Sequence, residues 1–344
     1  MDGADLELFE RSLRHATERD TGAALDAALD ELGWREALAI DRRAAVSLLF
    51  ELQGASNVTS SALDHVVLDS IGSVEVADAT TDHQPPGIVL PALGRKPVLA
   101  SIARAERELL GEETTPPGSL DGDRLTVTGI GTAALATRET TVVVAPTADA
   151  NVAVIVATAA LTLRPVAGLD PSLGLVEVSG DSIEISTTPQ PVTTWTTAVA
   201  TAQLAVGHEL IGASRTMLEQ ARQHSLERIQ FGQPIARFQA IRHRLADTLV
   251  AIETADAVLD AAWLDRSPQT AAMAKALAGR GARTAARHCQ QVLAGIGFTT
   301  EHPLHRSIRR VLVLDELFGA SRSLTSALGD DLLASRQLPP LLPL

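Results

Sequence analysis

Residues 116 to about 192 read unlike the sequence on either side, and this change of texture limits the fold more than any other feature. The block opens on the turn-rich PPGSLDGD. It continues through the short β-branched runs LTVTGI, TTVVVAP, VAVIVAT, LTLRPV, LVEVSG and SIEIST, separated by Gly, Pro, Asp and Asn. Such spacing predicts a small antiparallel β domain. LTVTG and VEVSGDSIEIS alternate apolar and polar residues, which suits a sheet with one solvated face.

The flanks have helical texture. Before the β block, LELFERSLRHA and AALDAALDELGWREAL carry apolar residues three and four apart, and AVSLLFELQGAS is expected to end at a glycine. QPPGIVLPALGRKPV (84–98) reads as a connector, and IARAERELLGEE as a further short helix. After the block, Phe238, Ile241, Leu245, Leu249, Ile252, Ala255, Leu259 and Ala262 form one stripe along a long amphipathic helix. Met273, Leu277, Ala285, Cys289 and Val292 form a second stripe, with Gly281 in its gap. A third helix between about 200 and 227 carries Gly207, Gly212, Ala213 and Ser214, small enough for close helix approach. The expected fold is α+β and mostly α. An N-terminal helical domain (1–115) precedes a small central antiparallel β domain (116–192). A C-terminal domain resembling a four-helix bundle (193–344) follows.

Bulk properties narrow the function. Of the 344 residues, 45% are apolar, enough to bury a sizeable core. No run of 18 uncharged apolar residues predicts a membrane span. The opening MDGADLELFERSL is acidic and lacks the layout of a signal peptide, so the expected location is cytoplasmic. The net charge of −13 argues against nucleic-acid or membrane-surface binding. One cysteine, Cys289, excludes an internal disulfide and a cysteine-built metal site; on an apolar stripe it reads as a buried small hydrophobe. No metal is expected. Against this acidic background Arg215, Arg222, Arg228, Arg237, Arg242 and Arg244 make a basic segment, either a solvated helix face or a phosphate site.

Three C-terminal segments carry a resemblance. The first is LERIQFGQPI (226–235) followed by FQAI (238–241), an Arg with a Phe-Gly pair three residues on and a helix opening near a Gln. The second is QVLAGIGFTTEHP (291–303), and the third runs from Arg309 to LFGAS (317–321). In this order and spacing the segments resemble the acyl-CoA dehydrogenase superfamily, strongly over about 195–325 and only in architecture before that. The resemblance implies FAD as cofactor. It implies that Arg228, Phe231, Gln239, Gln291, Gly295 and Gly297 hold the ADP part of a flavin, usually that of a neighbouring subunit. The chemistry agrees: a permanent planar cation suits a pyrophosphate, and glycine lets backbone approach a ligand.

The same segments depart from the family where it performs proton transfer. The family abstracts the α-proton of an acyl-CoA thioester with a Glu directly before Gly-Thr-Ser, and here that position is Phe318. Some relatives place the Glu early in the first C-terminal helix, and here that position is Ala202, beside Gln203. Neither Phe nor Ala can take a proton. Ala320 replaces the family's Thr and Arg322 its usual Gln. The β region shows no equivalent of the Gly- and Ser-containing loop or the Trp-containing strand that hold the flavin ring. Asp315 and Glu316 are further candidates for a displaced base; on one helix such a pair also reads as solvated surface.

The resulting expectation is a base-lacking subunit, like those of bacterial α2β2 heterotetramers that oxidise steroid side-chain CoA esters. A related partner subunit would hold the catalytic Glu and the flavin pocket. An independently active homo-oligomer with a displaced acidic base and a flavin-free scaffold are the alternatives. The acyl substrate and the electron acceptor are left open.

Overall fold

The computed structural model describes residues 3–72, 85–94 and 115–336. Five helices come first: α1 (Gly3–Arg19), α2 (Ala23–Glu31), α3 (Trp34–Ile40), α4 (Arg42–Ser56) and α5 (Ala62–Ile71). AALDAALDELGWREAL, one amphipathic run by pattern, forms two helices because Gly33 takes a left-handed φ of 68° between them. Helix α4 does not stop at its glycine. It continues to Ser56 and ends on Asn57 in the left-handed region. The short helix expected over IARAERELLGEE lies outside the described residues.

The connector expectation is corrected at residues 87–91. This segment supplies β1 (Gly87–Ile88) and β2 (Leu90–Pro91), one to each of two sheets. The remaining strands are β3 (Gly118–Asp121), β4 (Arg124–Thr132), β5 (Thr140–Pro146), β6 (Asn151–Ala157), β7 (Thr162–Pro165), β8 (Leu175–Glu184) and β9 (Gln190–Val192). LVEVSG and the first half of SIEIST therefore fuse into the single strand β8. One sheet has the order β1-β5-β6-β9; the other has β2-β4-β8-β7, with β3 on β4. All pairings are antiparallel except β1 with β5.

The texture of each run records its layer. On β5, Val142 and Val144 join the core shared with the helices, while Val143 and Ala145 join the core between the sheets. On β6, Ala153 and Ile155 face the first core, and Val154 and Val156 the second. The first sheet is thus covered on both faces along β5 and β6, whose runs 142–145 and 152–157 are continuously apolar. Strands β4 and β8 line the second core with Leu125, Val127, Val176 and Val178 and turn alternate residues to solvent.

The C-terminal helices are α6 (Trp195–Glu227), α7 (Gln239–Asp265), α8 (Pro268–Leu293), α9 (Leu304–Leu314) and α10 (Ser321–Ser335). Between α6 and α7 lies a hairpin of β10 (Ile229–Gln230) and β11 (Gln233–Pro234). Glycines set the α4–α6 crossing. A Cβ on Gly212 would sit 2.0 Å from the Glu51 carbonyl, and one on Gly54 would sit 2.0 Å from the Glu209 carbonyl. The two helices therefore cross backbone to backbone. Cys289 is buried, and its apolar surroundings push its thiol up to about 12, so it packs as a hydrophobe.

One loop ties the regions together. Thr59 donates its N–H to Thr21 Oγ1, accepts from the Gly22 N–H, and donates its hydroxyl to the Ser172 carbonyl of the β region. Arg310 of α9 donates to that hydroxyl at 3.4 Å and to the Val58 carbonyl. The same guanidinium, buried, pairs with buried Glu209 of α6 through Nε at 2.8 Å.

Candidate functional site

Helix direction places the cofactor candidates together. Helix α6 ends, α7 begins and α8 ends at the same end of the bundle, because short connections make neighbouring helices antiparallel. Arg228 caps α6, Phe231 sits in the hairpin, Gln239 opens α7, Gln291 lies in the last turn of α8, and Gly295 and Gly297 follow its end. All six lie at this end.

The hairpin is built to display Phe231. Its register pairs Gln230 with Gln233, leaving Phe231 and Gly232 as the two turn residues with φ of 50° and 77°. This is the primed turn that suits strand twist, and it asks for positive φ at both positions. Gly232 meets that demand easily, whereas a bulky aromatic does so at a cost of order 1–2 kcal/mol. Phe231 is nonetheless 92% exposed, with one edge contact to Phe238 at 6.0 Å between ring centres. Nearby Phe298, Ile229 and Ile296 are also exposed. Burial does not explain this strained, solvent-facing ring, which suits a face awaiting a ligand or partner.

The surrounding charges are equally unengaged. Arg228, Arg237, Arg242, Arg244 and Arg287 form no ion pair among the described residues, whereas Arg215, Arg222, Arg283 and Arg310 do. Of the basic segment, only its start is a structural network: Arg215 bridges Glu51 and Asp256 at 2.8 and 2.6 Å. Residues 193–336 hold 16 basic and 13 acidic side chains in a chain of net charge −13. Gln239 reaches only His243, at 3.3 Å, and Gln291 is exposed. Gly295 has open space where a Cβ would be, so its backbone is approachable. Gly297 differs: a Cβ there would meet the Gln290 carbonyl and the Leu293 Cβ at 2.9 Å, and its own carbonyl accepts from Gln290 Nε2 at 3.3 Å. Its small size serves the fold of the turn.

The family's two base positions meet elsewhere. Ala202 lies 26 residues before Arg228 along α6, which is about 39 Å of helix at 1.5 Å per residue. There the amide of Gln203 donates to the Phe318 carbonyl at 3.0 Å, so the two positions adjoin. Both are filled with packed hydrocarbon. Ala202 is fully buried and Phe318 is 4% exposed, and Phe318 adopts a left-handed φ of 53°.

Asp315 is not solvated surface, which corrects one of the sequence expectations. It is buried, and its Oδ2 accepts from Arg283 Nε at 2.5 Å and from the Ser321 hydroxyl at 3.1 Å. Its Oδ1 accepts from the Ser321 N–H at 3.1 Å, holding the start of α10. A Cβ on Gly279 would lie 1.9 Å from that oxygen, so glycine there makes room for the carboxylate. Glu316 is half-buried and pairs with Arg283 at 3.2 Å. Lys275 of α8, fully buried, donates to the Asp315 and Gly319 carbonyls at 3.0 and 3.2 Å. Burial pulls its ammonium down to about 8 despite Asp315 and Glu316 nearby. The turn 315–321 is thus held from α6 and α8.

Sequence reasoning missed Gln203, Lys275 and Arg283 as holders of this turn. Lys275, flanked by Ala274, Ala276 and Ala278, was the one available signal, since a lysine in an alanine-rich buried helix must find partners. A further cluster, Glu51, His208 and Asp256, brings potential metal ligands together. Arg215 already supplies its positive charge, and both His208 nitrogens are engaged, Nδ1 by Glu51 and Nε2 by the Trp263 N–H.

Residues 193–333 match the acyl-CoA dehydrogenase C-terminal domain family. Over 147 residues the chain is 35% identical to acyl-CoA dehydrogenase IpdE2 of Mycobacterium tuberculosis, covering 43% of this chain and 44% of that protein. The alignments thus span less than half the length of the first curated relatives matched. The fold is shared much more widely. A steroid acyl-CoA dehydrogenase variant, Tcur3481-Tcur3483, superposes with a TM-score of 0.76 at 19% identity, over 97% of this chain and 99% of that one. The ChsE4-ChsE5 complex of Mycobacterium tuberculosis superposes with a TM-score of 0.74 at 18% identity, over 98% of each chain. Residues 193–333 thus carry the sequence match to the acyl-CoA dehydrogenase C-terminal domain, and nearly the whole chain has the fold of solved acyl-CoA dehydrogenases.

Proposed function

We propose that this chain is a subunit of an FAD-dependent acyl-CoA dehydrogenase, lending its open end to the flavin of a related partner subunit that holds the catalytic glutamate. The observation that carries this reading is the opposition between the two sites on α6. At one end a cation and an aromatic face stand unengaged; at the other, the base positions are packed hydrocarbon. The exposed guanidinium of Arg228, the ring of Phe231 and the open backbone at Gly295 fit the ADP part of FAD. FAD would supply the hydride acceptor. Arg228 would neutralise pyrophosphate charge, Phe231 would cover a ring, and Gln239 and Gln291 would offer amide hydrogen bonds.

The spacing supports sharing between subunits. About 39 Å of helix separates the ADP candidates from the base positions, longer than one extended FAD, so both cannot serve the same cofactor within one chain. The occupied oxygens of Asp315 count against a displaced base. The names of the structural neighbours favour a steroid-CoA substrate and a heteromeric assembly, α2β2 in this reading. No described helix is long and apolar enough to cross a membrane, and we place the complex in the cytoplasm.

The test is to purify the chain alone and together with a related subunit that carries a glutamate at either base position. The chain alone should hold no stoichiometric FAD and dehydrogenate no acyl-CoA, whereas the complex should do both. A chain that does both by itself overturns the proposal.

A further inference from the structure

Asp64 has no place in the chemistry above, and its surroundings are unusual. It stands on α5, is 4% exposed, and faces the end of β4. The Thr132 hydroxyl contacts Oδ2 at 2.6 Å, and Oδ1 has no hydrogen-bond partner among the described residues. The charged groups that act on it are Asp26 of α2 and Arg138, beyond the turn that follows β4. Its neighbour His65 is held down to about 4 by burial and by Arg35 and Arg138, so it stays neutral near pH 7. The Ser61 hydroxyl and the Gln53 amide nitrogen, both buried, also lack partners. A carboxylate in such a place would be a buried charge held by one hydrogen bond, whereas a neutral carboxyl leaves Oδ1 just as unpartnered but has no charge to desolvate.

We propose that Asp64 is a proton-carrying latch between α5 and β4: neutral, it sits in the buried interface, and ionised, it draws in water and loosens α5 from the sheet. The latch adjoins the loop that joins the regions, because Asp26 holds the Ser61 N–H at 2.6 Å and Thr59 lies two residues before. Loosening would therefore reach the junction held by Arg310.

The sign follows from burial, which raises the Asp64 carboxyl to about 7 against an ordinary value near 3.8. Between those values the folded chain holds a proton that the unfolded chain has released, so stability falls as pH rises through the window.

Hydrogen exchange on the full chain reads this directly. Between about pH 5.5 and about pH 8.5, α5 amides, corrected for intrinsic exchange, should lose protection about tenfold or more relative to α6. Asp64→Asn should abolish that loss. An unchanged wild-type ratio, or the same loss in the Asn variant, overturns the proposal. Should Asp64→Asn fail to fold, infrared spectroscopy of the wild type and Thr132→Val decides. A protonated-carboxyl band should titrate near neutrality and move to higher pH in the Val variant. Its absence, or a midpoint indifferent to Thr132, overturns the proposal.

Discussion

Two regions of the C-terminal bundle share helix α6 and have opposite physical character. The turn at 315–321 is closed. Phe318 fills the core, Asp315 is ion-paired, and Gln203 and Lys275 take up carbonyls of the turn. The end around Arg228 is open, with unpaired guanidinium groups and a nearly bare phenylalanine in a strained turn. A closed region is explained by its own contacts. The open one is not, and that is why the proposed function assigns it to a ligand. The contrast separates what this chain keeps for its own stability from what the proposal has it offer to another molecule.

Phe318→Ala should break the closed side hardest. Removing a buried ring that the surroundings cannot replace costs about 3–4 kcal/mol, visible as a lower urea midpoint at unchanged m. A loss below about 1 kcal/mol would mean that the turn is loose. Lys275 gives a smaller effect with a distinctive pH sign. Its folded-state value of about 8 lies below the ordinary 10.5. Wild-type stability should therefore rise by about 1–3 kcal/mol as pH climbs from 8 to 10.5, where the unfolded chain binds the extra proton. Lys275→Met should lack this rise, and equal slopes in both proteins would show that Lys275 is solvated. The open side gives the smallest stability change. Phe231→Ala should alter stability by less than about 0.5 kcal/mol, because the ring packs on almost nothing, yet it should lower the flavin content of the complex. A large stability loss with flavin retained would move Phe231 into the fold's own machinery.

How far the sequence revealed these regions depends on the range of the interactions. The β layers were readable because burial on one or two faces writes itself into alternate or continuous apolar runs, as in LTVTG against TTVVVAP. The long stripe from Phe238 to Ala262 was readable for the same reason, although Leu249 proves half exposed on the open side of α7. The residues of the open end are close in sequence, with Arg228, Phe231 and Gly232 within five residues, and their cofactor role was drawn from the resemblance to a family. The closing of the other end was not. Gln203 and Phe318 are 115 positions apart, and Arg283 and Asp315 are 32 apart. Such pairings depend on how α6, α8 and the turn meet in space. The two strands at 87–91 were missed because two-residue pairings leave no periodicity in a Pro- and Gly-rich segment.

The central claim is that the open end serves a partner's flavin, and Arg228→Ala in the assembled complex tests it most directly. Subunit ratio and thermal midpoint should match the parent complex, while FAD per complex, read by visible absorbance, should fall at least about tenfold at limiting cofactor, the loss of one charge-assisted contact of 1.5–3 kcal/mol. Full FAD occupancy with intact assembly would contradict the account and leave Arg228 as surface decoration.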